Sequence, residues 1–206
     1  MKNILNNYKS LNVTESKKQQ TATHSDPCHG FFKKHLSAIP ARHIQLIFWP
    51  IVIAGVILDL WSKKAVFQWL EQKAFYRVSI IDGLLQIVRA ENAGAAFGIA
   101  SGQRHFLVAV SIIALIAILA IFFFTRIEHK IIYIALALFT AGVCGNLYDR
   151  IYHNGLVRDF IDVYYGQHHW PAFNVADSML CIGMGIMIIL SFVSGKPAQK
   201  PPQQQK

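Results

Sequence analysis

Charged residues are scarce in this sequence, and long stretches contain none. Asp, Glu, Lys and Arg make up 15% of the 206 residues, against 53% hydrophobic residues, and the mean hydropathy is +0.35. That is too apolar for an ordinary soluble domain of this size. Cysteine is scarce too. Of the three, Cys144 and Cys181 lie inside apolar runs, which argues against a disulfide framework. Cys28, in Asp26-Pro27-Cys28-His29, has only His24 and His29 nearby, too short a cluster to read as a metal site. No serine or cysteine has an evident histidine partner, and His168 and His169 stand beside Trp170 without a nucleophile. No repeat of helix pairs is visible, which argues against a transporter built on inverted repeats. Nor is there a cleavable signal pattern, because the first apolar run begins deep in the chain.

What is present is four apolar runs. A membrane helix needs roughly 20 apolar residues. Residues 44–60 are apolar except for Gln45 and Asp59, with Trp49 and Trp61 suited to interface anchoring. Residues 106–125, 131–148 and 178–194 carry no charge. The pattern predicts an all-α membrane protein of four transmembrane helices. It divides the chain into a basic extension (1–42), a membrane domain (43–195) and a short tail (196–206). Both ends are too polar to bury a core and are expected to be disordered.

The formal charge of +9 is carried largely by those ends. A basic tail can signal nucleic acid, but beside membrane spans it fixes topology, since Lys and Arg stay on the cytoplasmic side. Both termini are therefore expected inside, with segments 61–105 and 150–176 outside. Within the insert 66–105, Tyr76-Arg77-Val78-Ser79-Ile80 alternates with period two. Asp82-Gly83 is a turn signal, and Leu84 to Val88 is again strand-like. A small extracytoplasmic β-sheet is expected there, lying on lipid headgroups or cradling a ligand.

Carboxylates at a bilayer edge are costly and need a reason. Asp159 and Asp177 bracket a short loop between the last two spans, and two approaching carboxylates can share a proton and activate water. Asp59 and Lys63 are spaced i, i+4 at the end of the first span, as a helix-end ion pair with a snorkelling lysine or as a support for a site. In Glu91-Asn92-Ala93-Gly94-Ala95-Ala96-Phe97-Gly98, the small residues would let another backbone approach, and Asn92 offers it a donor and an acceptor. The alternative is a tight turn. Gly142, Asn146, Asp149 and Arg150 share one helical stripe, which must face the bundle interior or a wet cavity, if not a purely structural Asp149–Arg150 network. Asn174 and Asp177 are spaced i, i+3 and also suit a helix cap.

Taken together and in this order, these motifs resemble the signal peptidase II family of membrane aspartyl proteases. The resemblance covers residues 44–194 and rests on the stretches 59–63, 92–98, 142–150, 157–162 and 171–178. It implies that Asp159 and Asp177 are the catalytic pair. It implies supporting or substrate-binding roles for Asp59, Lys63, Asn92, Gly94, Asn146, Asp149, Arg150 and Asn174. Arg158 departs from the family's usual valine, Ala141 from a common glycine, and the loop 151–155 is one residue longer than usual.

The implied activity is cleavage of prolipoproteins just before a cysteine bearing diacylglycerol, in the bacterial inner membrane, with inhibition by globomycin. No metal or organic cofactor is implied. The partners expected are lipid-modified prolipoproteins and membrane lipids, with no nucleic acid, and the chain is read as a monomer. The rival reading is a small ion-coupled membrane transporter. It would spread polar residues along several spans, whereas here they gather at one edge.

Overall fold

The computed structural model describes residues 40–193, apart from 96, 97, 126 and 128. The tail 196–206 and all but the last three residues of the extension 1–42 lie outside them, so the expectation of disorder there is untouched. Four helices are long and apolar enough to cross a membrane: α1 (Arg42–Leu70), α2 (Arg104–Phe124), α3 (Lys130–Tyr152) and α4 (Val175–Val193).

Helix α1 continues beyond the apolar run that ends at Leu60, so residues 66–70 are helical and the insert begins later than the composition suggests. Its buried face explains why. Val52, Gly55, Asp59, Ser62, Lys63, Phe67 and Leu70 keep a helical period straight through the change from apolar to polar sequence. At 29 residues the helix spans about 44 Å, more than a hydrocarbon core of about 30 Å requires.

Helix α3 is the central one. Half of its most apolar window is buried, against 11% for α2, which keeps only Leu107 and Phe122 inside. One core cluster joins α1, α2 and α3 through Phe48, Phe122, Tyr133 and Leu136, with the Phe48 and Phe122 rings stacked at 3.9 Å. A second core cluster, Ala141, Ala176 and Met179, lies between α3 and α4. Backbone contact there depends on glycine. A Cβ on Gly142 would lie 2.7 Å from the Ala176 carbonyl oxygen, and one on Gly145 would overlap the Asp59 carboxylate.

The extramembrane chain forms one antiparallel sheet in the order β1-β2-β3-β4, from β1 (Arg77–Ile81), β2 (Leu85–Asn92), β3 (Val157–Tyr165) and β4 (His168–His169). The Asp82-Gly83 turn joins β1 to β2, with Gly83 at φ 78°. The sheet is not confined to the insert, as the sequence suggests. Its third strand comes from the segment before α4, and that strand carries Asp159. What reads as a loop between Asp159 and α4 is thus a strand and a short hairpin. Val157-Arg158-Asp159-Phe160-Ile161-Asp162-Val163-Tyr164-Tyr165 is rich in β-branched and aromatic residues, which suit a pleated, half-buried surface. Ala90 pairs with Asp159 and Asn92 with Val157, which brings the end of β2 beside the carboxylate.

Candidate active site

The site lies where the sheet meets the ends of α1, α3 and α4. Asp159 is 2% exposed on β3, and Asp177 stands in the first turn of α4. Asn174 joins them. Its side-chain amide donates to Asp159 Oδ1 at 2.6 Å, and its side-chain oxygen accepts the Asp177 backbone N–H at 3.0 Å. Asp177 Oδ2 in return accepts the Asn174 backbone N–H at 3.1 Å. This reciprocal cap satisfies helix-end donors that would otherwise be orphaned. Capping and site-building, alternatives in the sequence, are one arrangement here. The other Asp177 oxygen accepts the Asn146 amide N–H at 2.8 Å.

Behind this lies a row of buried charges. Lys63 Nζ is 2.8 Å from Asp59 Oδ2 and 3.4 Å from Asp149 Oδ2, and it donates to Asn146 Oδ1 at 3.0 Å. All three ionised side chains are fully buried, so Lys63 does not snorkel. Asp59 Oδ1 accepts the Ala176 N–H at 2.8 Å, which ties α1 to the start of α4. Charges so buried persist only when paired and hydrogen-bonded.

Asp149 does not pair with Arg150. Arg158 holds it instead, through Nη2 at 2.7 Å, Nε at 3.3 Å and its own backbone N–H at 3.0 Å. Helix geometry explains the difference: adjacent residues do not face each other, and β3 brings Arg158 back across the helix end. Arg150 turns the other way and donates to the Gly94 carbonyl at 3.0 Å and the Asn146 carbonyl at 3.4 Å. Asn92 Oδ1 accepts the Gly94 N–H at 2.9 Å. A Cβ on Gly94 would lie 2.8 Å from the Gly98 backbone, so the space beside Gly94 is filled by its own loop.

Asp159 and Asp177 line a cavity of about 580 Å³. Asn92, Asn146 and Arg150 complete its polar end, and Trp170, Phe173, Leu180 and Ile182 belong to its apolar wall. The Asp159 carboxyl, on the strand outside the spans, is pushed up to about 7 from an ordinary 3.8. Burial is the main cause and the neighbouring Asp177 charge the next, against the Asn174 and Asn92 amides and Lys63. Among the described residues, no group of three His, Cys, Asp or Glu is placed to hold a metal. The sequence pattern marks Arg158 only as a departure and gives the wall 170–173 no role. The one signal for Arg158 is a charge next to a buried carboxylate in an alternating stretch.

The family model described as signal peptidase (SPase) II matches residues 51–193. The chain belongs to the signal peptidase II family. It is 36% identical over 146 residues to the lipoprotein signal peptidase of Geobacter metallireducens, covering 69% of this chain and 88% of that protein. The Rhodopirellula baltica and Maridesulfovibrio salexigens lipoprotein signal peptidases are each 40% identical, covering 76% and 71% of this chain and 75% and 94% of theirs.

Two solved structures described as a bacterial membrane enzyme, obtained by the in meso method, are both 34% identical. Their TM-scores are 0.63 and 0.59, with 74% and 71% of this chain and 92% of each structure covered. Membership of the signal peptidase II family makes the chain a multi-pass bacterial membrane protease and sets the transporter reading aside.

Proposed function

We propose that the chain is an aspartic endopeptidase that removes signal peptides from diacylglyceryl-modified prolipoproteins, cutting before the lipidated cysteine, with Asp159 and Asp177 as the catalytic pair. The observation that carries this is the pair itself: two carboxylates linked through one asparagine, on the wall of one cavity that is polar at one end and apolar along α4. The lipoprotein signal peptidases it resembles supply the substrate class.

Asp159 is the acid and Asp177 the base. Burial and the neighbouring charge keep the Asp159 proton in place near neutral pH. Both Asp177 oxygens accept N–H donors at a helix N-terminus, a suitable setting for a carboxylate. Asp177 takes a proton from water as the water oxygen attacks the scissile carbonyl carbon. Asp159 donates its proton to the carbonyl oxygen. As the C–N bond breaks, Asp177 passes its proton to the leaving amine and Asp159 takes one back from a hydroxyl of the collapsing gem-diol, which restores both carboxyl groups to their starting states.

Asn174 and Asn146 hold the pair in register. Lys63, Asp59 and Asp149 anchor Asn146 and the start of α4 from behind. Arg150 fixes the loop through Gly94, and Asn92 is positioned to meet the substrate backbone. The membrane domain 43–195 carries the whole site, which faces the periplasm with both termini cytoplasmic, works as a monomer, and needs no metal or organic cofactor.

The test is to incubate the purified full-length protein with a lipid-modified and an unmodified prolipoprotein, with and without globomycin. Globomycin-sensitive cleavage of the lipidated form alone is expected. Equal cleavage of both forms, or of neither, contradicts the assignment.

A further inference from the structure

One buried carboxylate outside the candidate active site has a defined set of partners. Asp162, on β3, is 6% exposed and accepts the Gln86 side-chain amide from β2 at 2.6 Å. His169 Nδ1, on β4, stands 2.9 Å from Asp162 Oδ2 and 3.1 Å from Oδ1. A carboxylate only accepts, so Nδ1 carries the proton. The His169 ring also stacks on Tyr164, with centroids 5.3 Å apart and planes at 11°. Three strands are therefore tied together by side chains around one buried group.

The tie matters because the chain leaves His169 straight into the active-site cavity. Residues 170–173 form one wall of the cavity that holds Asp159 and Asp177. That wall is fastened to β3 by its ends. The Trp170 N–H donates to the Val163 carbonyl at 2.8 Å, and Phe173 and Ile161 exchange two backbone bonds at 3.0 and 2.9 Å. Between them, Pro171 has no N–H to give. The wall is an arch, and the Asp162–His169 contact lies at the foot where Trp170 begins. The far foot runs directly into Asn174.

We propose that Asp162 and His169 are positioning residues for substrate binding. Their contact holds the 170–173 arch at the width that grips the peptide, while the carboxylates opposite do the chemistry. This rests on the protease reading of the cavity. The hydrogen bonds of Asp162 and His169 run to Gln86 and to each other rather than to the candidate catalytic pair, so the effect falls on binding rather than on the chemical step.

The test compares His169→Ala, His169→Gln and Asp162→Ala in the full-length protein, with the lipid-modified prolipoprotein as substrate. His169 is half-exposed, so its variants are expected to fold even if the buried Asp162→Ala does not. His169→Ala should raise KM by about five- to tenfold and leave kcat within about twofold, the size of one lost hydrogen bond at a half-exposed site. His169→Gln, which keeps an N–H donor, should recover most of that loss.

A second readout needs no turnover. The Trp170 emission, taken as the difference between each protein and its Trp170→Phe counterpart, should shift in His169→Ala and return in His169→Gln. Unchanged KM and emission in His169→Ala overturn the proposal. So does a fall in kcat and melting temperature at constant KM, or a His169→Gln variant as impaired as His169→Ala. Failure of the protease reading would look different: no cleavage by the unmodified protein, with the emission shift still present.

Discussion

Asn174 and Asp177 cap each other, side-chain oxygen to backbone N–H in both directions, at 3.0 and 3.1 Å. Each bond is an ordinary helix cap. What distinguishes the pair is that the Asn174 amide is left to donate to Asp159 at 2.6 Å. One side chain thereby fixes the start of α4 and the spacing of two carboxylates.

Asn174→Ser separates these roles. The hydroxyl can still accept the Asp177 N–H, so the cap survives, but it has no amide to donate to Asp159 and adds no buried charge. Melting temperature should fall less than in Asn174→Ala, while kcat falls by about 10²-fold or more. Asn174→Ala should lose both, with a stability cost of about 1–2 kcal/mol from the cap. Thermal melting in detergent beside a kcat measurement distinguishes them.

The pH dependence follows from Asp159, whose carboxyl titrates near 7 instead of 3.8. A raised carboxyl pKa means that the folded protein holds this proton more tightly than the unfolded chain. The stability it contributes is complete below about pH 3.8 and is lost as pH rises through about 7. If Asp159 is the acid, kcat should fall above that point by about tenfold per pH unit. A profile flat to about pH 9 would show that Asp159 is not the proton donor.

Lys63 is the only cation within ion-pair distance of Asp59 among the described residues, and it also faces Asp149. Lys63→Met leaves Asp59 buried and uncompensated and should destabilise the fold by about 3–5 kcal/mol. Adding Asp59→Asn to it should recover part of that loss, because the uncompensated charge goes with the carboxylate. Chemical or thermal unfolding of the single and double variants gives the coupling. Equal stability in both would mean that the charge is dispensable.

Reporter fusions test the topology. Fusions at residues 20 and 200 should read cytoplasmic, and fusions near Tyr76 and Gln167 should read periplasmic, as the basic ends imply. A terminus that reads periplasmic would place the cavity on the wrong face for a translocated substrate.

The four spans are legible in the sequence because lipid demands uninterrupted apolar length, and residues 106–125 or 178–194 satisfy that on composition alone. The polar site residues are legible because Asp149, Asn146 and Asp159 have no place facing lipid. Helix α1 beyond Leu60 is not, since the Asp59–Lys63 pair reads as a helix end while burial of Phe67 and Leu70 carries the helix on. Nor is β3. Its strand partner is β2, far earlier in the chain, and no local pattern in Val157 to Tyr165 announces that pairing. Arg158 and His169 escape assignment for the same reason, because the residues they meet are brought to them by tertiary structure. Gly94 reads in the sequence as room for a substrate. The structure shows that room taken by the loop's own backbone, with the Gly94 carbonyl accepting a hydrogen bond from Arg150.

The central claim is that Asp159 and Asp177 form one acid–base pair. The most direct measurement is the single-turnover rate on a lipid-modified prolipoprotein for Asp159→Asn, Asp177→Asn and the double variant, each checked for wild-type melting temperature and substrate binding. Each single variant should lose at least about 10²–10⁴-fold. The double variant should be little worse than either, since residues acting as a unit are not additive. Near wild-type cleavage by either folded single variant would contradict the pairing.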